Sequence, residues 1–255
     1  MIRKLSLLGS FLLLAGCASQ FIDKEADLTL HNRARNRNIP VHIYQPPTVS
    51  TCGSPAPCPV ALISGGYGVS HYAYSFIAQA LTARGFLVVS VQHDLPGDAP
   101  IPRDGNLYEL RAPFWARGAE NLALVARQLE PKFPTFNWAR PVLIGHSNGG
   151  DISLWYAREH AAATSAVITL DHRRMPIARV SRPTVLSLRG TDFPADAGVL
   201  PTTAEQQQFG IEVTTIQGAK HDEMQDSGPE EVKRAITERI IAFLSRPGFT
   251  TMRSP

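Results

Sequence analysis

Charge is scarce in this chain, and cysteine scarcer still. Of 255 residues only 18% are Asp, Glu, Lys or Arg. They form no long block of one sign, which excludes a polyanion-binding arm or an acidic tail. The formal charge is +3, but Arg3 and Lys4 stand ahead of Cys17. Removing these two from the 25 basic side chains leaves 23 against 22 acidic ones. So small an excess generates no long-range field that would recruit nucleic acid. No apolar run approaches the ~20 residues needed to cross a bilayer. No glycine-rich phosphate loop and no His/Cys cluster with metal-ligand spacing is present, so the sequence calls for no cofactor and no metal. Internal repeats and shifts of composition are absent too. A chain of this length that is 44% hydrophobic can close one sizeable core.

What is present begins at the N-terminus. Arg3 and Lys4 precede the apolar stretch Leu5 to Ala15, which is short for a membrane span and right for the central region of a secretion signal. It ends in Leu14-Ala15-Gly16-Cys17, which resembles a bacterial lipobox. That resemblance implies that residues 1–16 are a signal peptide and that Cys17 is lipidated and becomes the first mature residue. Ala18, where Asp would hold the chain at the inner membrane, implies a lipid anchor at the outer membrane, facing the periplasm. Residues 17–24 then form a tether, 25–248 a single domain and 249–255 a tail. The other two cysteines, Cys52 and Cys58, share a loop rich in Pro and Gly. In an exported protein such a pair suggests a local disulfide, with two free thiols or a metal site as alternatives. No further His or Cys lies nearby to complete a metal site.

Along the rest of the chain, partial alternation predicts strands at Leu28–His31 and Val41–Tyr44, joined as a hairpin. Val60–Ser64, a short continuous apolar run, and Phe86–Val91 predict strands covered on both faces, and Pro141–Gly145, Ala166–Leu170, Thr184–Leu188 and Glu212–Ile216 complete the parallel series. Between them, Tyr74–Ala83, Phe114–Glu130, Gly149–Ala162 and Pro229–Leu244 have the spacing of helices. Asp94–Pro113, with four prolines and two glycines, is expected to be a long loop. Strand, helix, strand in repetition means parallel pairing through crossovers. The expected architecture is an α/β doubly wound, mostly parallel sheet with an antiparallel N-terminal edge.

One strand runs directly into Gly145-His146-Ser147-Asn148-Gly149. Gly-x-Ser-x-Gly alone is a weak signal, but a strand before it and a helix after it are what a nucleophile elbow requires. Ser147 is therefore the expected nucleophile. An alkoxide attacking a carbonyl needs preorganised donors for the oxyanion. One is expected from the backbone N–H of Asn148. The other should come from the glycine-rich turn after the first central strand, from Gly66 or Tyr67. The base should be a histidine late in the chain. His221 follows the last strand by way of Gly218-Ala219-Lys220 and takes that role, while His172 follows an earlier strand and reads as structural. For the acid, Asp192 at the end of the penultimate strand is favoured, with Asp171 and Asp196 as alternatives. Tyr67, Tyr72, Trp115 and Phe193 are candidates to line an acyl pocket.

Together these segments, with Arg33 to Val41, Ile63 to Gly68 and Gly85 to His93, resemble the dienelactone-hydrolase-like and platelet-activating-factor-acetylhydrolase-like branch of the α/β-hydrolase superfamily. The likeness covers most of residues 28–245. Two departures are a serine at 147, where dienelactone hydrolases proper use cysteine, and Ser64, where many relatives carry His. The resemblance implies hydrolysis of a small-molecule carboxylic ester through an acyl-enzyme. The alternatives are a peptidase or envelope acyltransferase on the same triad, or a non-catalytic envelope lipoprotein.

Overall fold

The structure, a computed structural model, describes residues 25–47, 52, 53, 56–246 and 249. The signal segment, Cys17 and the tether lie outside them, as does all of the tail except Phe249. Eight strands form one sheet: β1 (Glu25–Asn32), β2 (Arg37–Tyr44), β3 (Cys58–Ser64), β4 (Leu87–Val91), β5 (Phe136–His146), β6 (Ala166–Leu170), β7 (Thr184–Arg189) and β8 (Glu212–Thr215). Their order is β1-β2-β4-β3-β5-β6-β7-β8. β1 and β2 pair antiparallel, as do β2 and β4, and every pair from β4 to β8 is parallel. The antiparallel edge and parallel body match the arrangement expected from the sequence.

The apolar runs are continuous because both faces of the sheet are covered. In β4, Leu87, Val89 and Val91 face a core with Trp115, Leu122 and Val125 of helix α2 (Leu107–Leu129) and Ile152 of helix α3 (Asn148–Glu159). Val88, one residue out of phase, joins the opposite core with Ile77 and Leu81 of α1 (Ser75–Thr82) and Ile236 and Ile240 of α5 (Glu230–Leu244). The period of two along a strand makes this division. Leu143 of β5 is fully buried in the first core, and trimming such a residue to Ala costs ~2–5 kcal/mol.

Two segments depart from expectation. Helix α2 begins at Leu107 and runs through Pro113, so the expected loop is seven residues shorter and ends at Asn106. The Asn106 side chain caps the helix by accepting from the Glu109 N–H. Pro113 is exposed, so the carbonyl its ring leaves without an amide can be hydrated. A short helix, α4 (Thr203–Phe209), lies between β7 and β8, where the sequence pattern predicted no element. Thr202 and Glu205 close it with a reciprocal capping box, and Gly210 ends it at φ +67°.

The parallel register is what builds the site. Ser64 pairs with Gly145, His146 with Leu170, and Leu170 with Leu188. The carboxyl ends of β3, β5, β6 and β7 are therefore level, and the loops after them meet above one edge. The ladder extends one residue beyond the strands: Ser147 N–H donates to Leu170 C=O and Asp171 N–H to Leu188 C=O, both at 2.8 Å. Cys52 and Cys58 are joined in a disulfide, and Cys58 opens β3 at the opposite end of the strand from Ser64.

Candidate active site

Ser147 sits between β5 and α3 with φ 52° and ψ −120°, a conformation that costs a non-glycine residue ~1–3 kcal/mol. The flanking glycines make the turn sterically feasible. A Cβ at Gly145 would land on the backbone of Gly149 and Gly150, and one at Gly149 on the carbonyls of Ser64 and Gly65. The tight turn lifts the serine hydroxyl off the sheet edge, where His221 meets it.

His221 Nε2 lies 3.0 Å from Ser147 Oγ, and His221 Nδ1 lies 2.6 Å from Asp171 Oδ2. A carboxylate can only accept, so Nδ1 carries the proton and the Nε2 lone pair faces the serine hydroxyl. The expectation for Asp192 is therefore corrected. Its Oδ1 accepts the backbone N–H of His221 at 2.8 Å and does not meet the ring. Asp192 belongs to the turn after β7, which holds the histidine loop by its main chain. Asp171 directly extends β6, the strand hydrogen-bonded to the nucleophile strand, and this brings it level with Ser147. Asp196 is no alternative: its carboxylate faces Arg174 at 4.0 Å.

Asp171 is fully buried, and burial alone would raise its pKa. The hydrogen bond from His221, the charge of Arg189 at 2.8 Å and the Gly190 N–H at 3.0 Å outweigh that and hold it below the usual carboxylate range. Its φ is +48°, so Ser147 and Asp171 both occupy a backbone region that side chains disfavour. Sequence order could not separate Asp171 from Asp192, since either lies between Ser147 and His221. The available signal was Arg189, a cation ending an apolar strand beside the one that ends in Asp171. His172, the next residue, is buried with Nδ1 2.8 Å from Thr169 Oγ1, the structural role expected of it.

The glycine turn after β3 presents its amides unequally. Gly66 N–H donates to Tyr74 Oη and Gly68 N–H to Asp94 Oδ2, each at 3.0 Å. The N–H groups of Tyr67 and Asn148 meet no acceptor among the described residues. The turn adjoins the nucleophile, since a Cβ built on Gly66 would lie 3.6 Å from Ser147 Cβ. Trp115 is fully buried and donates its indole N–H to Asn148 Oδ1 at 3.0 Å, so it orients that residue and lines no acyl pocket. Tyr72 also lies elsewhere, bonded to Asp27 through its hydroxyl. Phe193 is at the mouth, half exposed, with its ring 6.2 Å from that of His221 and the Arg173 guanidinium 4.0 Å above it. A cavity of about 240 Å³ adjoins the start of α3 at Asn148 and Ile152, walled by Arg35, Arg37, His93, Asp94, Phe114 and Arg117 among others. Its arginines are largely matched, Arg37 to Asp98 at 2.6 Å and Arg35 to Glu120 at 3.3 Å.

No protein-family model matches the chain, and no curated protein matches it. Solved structures do. Thermogutta terrifontis esterase 2 with bound butyrate superposes with a TM-score of 0.67 at 12% identity, over 90% of this chain and 96% of that one. The same esterase phosphorylated by paraoxon gives 0.67 at 12% identity, over 91% and 97%. Ferulic acid esterase from Streptomyces cinnamoneus gives 0.61 at 17% identity, over 91% and 92%. At these identities the likeness establishes the fold: the chain has the α/β-hydrolase fold.

Proposed function

We propose that this α/β-hydrolase-fold chain is a serine hydrolase that cleaves carboxylic esters through an acyl-enzyme on Ser147. The observation that carries the reading is the line Ser147 Oγ, His221, Asp171, with separations of 3.0 and 2.6 Å, raised on a serine at φ 52°. In the first half-reaction Ser147 Oγ attacks the ester carbonyl while His221 Nε2 takes its proton. Asp171 stabilises the resulting imidazolium and keeps the ring in the working tautomer. The oxyanion is met by the N–H groups of Asn148 and Tyr67, which are assigned because the amides on either side of Tyr67 are engaged. His221 then protonates the departing alcohol. Water, activated by the same imidazole, releases the acid. No step calls for a metal or an organic cofactor.

The structural neighbours named as esterases support the ester reading over a peptidase or an acyltransferase. Labelling by a fluorophosphonate probe tests the nucleophile, and a panel of p-nitrophenyl esters beside peptide amides tests the bond cleaved. The expected result is labelling that is lost in Ser147→Ala, with turnover of esters and none of amides. Folded wild-type protein that resists the probe would make the chain a non-catalytic member of its fold.

The setting proposed for this activity is a lipid anchor on Cys17 in the bacterial outer membrane, facing the periplasm. The lipobox-like Leu14-Ala15-Gly16-Cys17 supports it. Among the described residues no helix is long and apolar enough to cross a membrane. Fractionation of a Cys17→Ala variant tests this, with release from membranes expected; retention there would refute it.

A further inference from the structure

We infer that Tyr74 and His146 act as one positioning unit, coupling the oxyanion turn to the loop that carries the general base. The inference rests on the serine-hydrolase reading above. Both side chains are buried, Tyr74 at 1% and His146 at 3% exposure, and neither was singled out by its place in the sequence.

The bonds they make have only one consistent sense. Gly66 N–H can only donate, so Tyr74 Oη accepts it at 3.0 Å and gives its own proton to His146 Nδ1 at 2.8 Å. The His221 carbonyl can only accept, so His146 Nε2 carries the ring proton and donates at 3.0 Å. The chain therefore runs Gly66 N–H to Tyr74 O–H to His146, and His146 N–H to the His221 carbonyl. The other neutral tautomer would oppose lone pair to lone pair at the His221 carbonyl. Burial pushes His146 down to about 3, so its ring stays neutral and able to accept from Tyr74.

Two consequences follow for the chemistry. Occupation of the Gly66 amide sets the pitch of the turn that presents the Tyr67 N–H to the oxyanion. Anchoring of the His221 carbonyl by His146, with its N–H held by Asp192 at 2.8 Å, fixes the main chain of the base on both sides. The ring then spans Asp171 and Ser147 without loop freedom. His146 is covalently next to the nucleophile, so all three working elements refer to one ring. Tyr74 is itself tied to the base loop: Asp226 accepts the N–H groups of Ser75 and Phe76 at 2.9 and 3.1 Å. The Asp226 N–H in turn donates to the Ala73 carbonyl at 2.8 Å.

The experiment measures kcat and KM for p-nitrophenyl butyrate, with the rate of fluorophosphonate labelling, in Tyr74→Phe, His146→Leu, the double variant and His146→Gln, each shown to be folded by circular dichroism. A misplacement of about 1 Å can cost ~100-fold in rate, so Tyr74→Phe and His146→Leu should each lower kcat by about 10- to 100-fold with little change in KM. The double variant should be no worse than the poorer single one, because either change already breaks the unit. His146→Gln offers an acceptor and a donor on one amide and should recover most of kcat. Wild-type kcat in Tyr74→Phe, single losses that multiply in the double variant, or a His146→Gln as impaired as His146→Leu would each overturn the inference. If Tyr74→Phe does not fold, the comparison of His146→Leu with His146→Gln decides alone. Wild-type protein inert to both ester and probe would instead overturn the esterase reading, and this inference with it.

Discussion

Asp171→Asn is the substitution on which the assignment of the acid stands or falls. The carboxylate lies 2.6 Å from His221 Nδ1 and is fully buried, so its charge acts on the imidazolium with little screening by water. An amide there removes that charge and can turn an N–H toward the ring, which then takes the tautomer that cannot accept the serine proton. In Ser-His-Asp sites this change lowers kcat by ~10⁴-fold, equivalent to about 5.5 kcal/mol of transition-state stabilisation. A second cost falls on the fold. Arg189 is 5% exposed and pairs with Asp171 Oδ1 at 2.8 Å. Breaking a buried pair from one side costs ~3–5 kcal/mol, a large part of the ~5–15 kcal/mol available to a domain. Loss of activity must therefore be separated from loss of fold. The assay is kcat for p-nitrophenyl butyrate on protein whose folded fraction is fixed by its thermal melt at the assay temperature. Asp192→Asn is the control: it keeps an oxygen for the His221 N–H, gives up only the charge on that bond, and should cost less than about tenfold. An Asp192→Asn loss of 10³ beside a folded Asp171→Asn within tenfold of wild type would refute the reasoning and return the role to Asp192.

Asp151, buried at the start of α3, is pushed up to about 6, chiefly by desolvation, against the pull of the Met175 and Arg174 amides and the charges of Arg174 and Arg111. Its folded pKa lies above the ~3.9 of an unfolded chain. The native state therefore holds the proton more tightly, and this group's contribution falls as pH rises from about 4 to 6 and stays low above that. Two units correspond to about 3 kcal/mol. An amide can still accept the Arg174 and Met175 N–H bonds, so Asp151→Asn should raise Tm by several degrees at pH 8 and by little at pH 4. An equal gain at both pH values would discard the ionisation argument. Cys52 and Cys58 close a loop six residues apart in sequence. Replacing both with Ser should cost about 2 kcal/mol by the chain-entropy relation. The bridge is at the opposite end of β3 from the site, so kcat should not change, and a fall in kcat at full folding would contradict that separation. Asp171, with its lowered pKa, contributes stability above the unfolded value that is lost as pH falls through the folded one. Acid unfolding of Asp171→Asn should accordingly show a weaker pH dependence than that of wild type.

The strands were legible because the sheet is covered on both faces, so each central strand is a short unbroken apolar run such as Val60-Ala61-Leu62-Ile63. The serine turn was legible for a local reason. Gly145 and Gly149 are glycines because backbone passes where a Cβ would be, and that demand is written in adjacent positions of the chain. His221 could be found because few histidines follow the serine and only one follows the last strand. The first seven residues of α2 were missed because proline weighs heavily in local propensity, whereas the cost at Pro113 depends on whether the bereft carbonyl faces water. Tyr74 and His146 carried no signal at all, since a tyrosine beginning a helix and a histidine ending a strand are ordinary taken singly.

What the sequence by itself determined, then, were most of the elements, their order and the strained serine turn, all set by interactions among residues within a few positions of one another. Which aspartate meets His221, which amide of the glycine turn is engaged, and the network behind them were decided only by tertiary structure. Asp171 and Asp192 are equivalent in chain order and differ only because β6 pairs with β5 in a register that sets Asp171 level with Ser147. Gly66 and Tyr67 are neighbours in one turn and differ only because a tyrosine from the following helix reaches the first amide and leaves the second free. The first choice is made by hydrogen bonds between strands far apart in the chain and the second by a side chain eight residues on, and in neither case does distance in sequence carry information about direction in space.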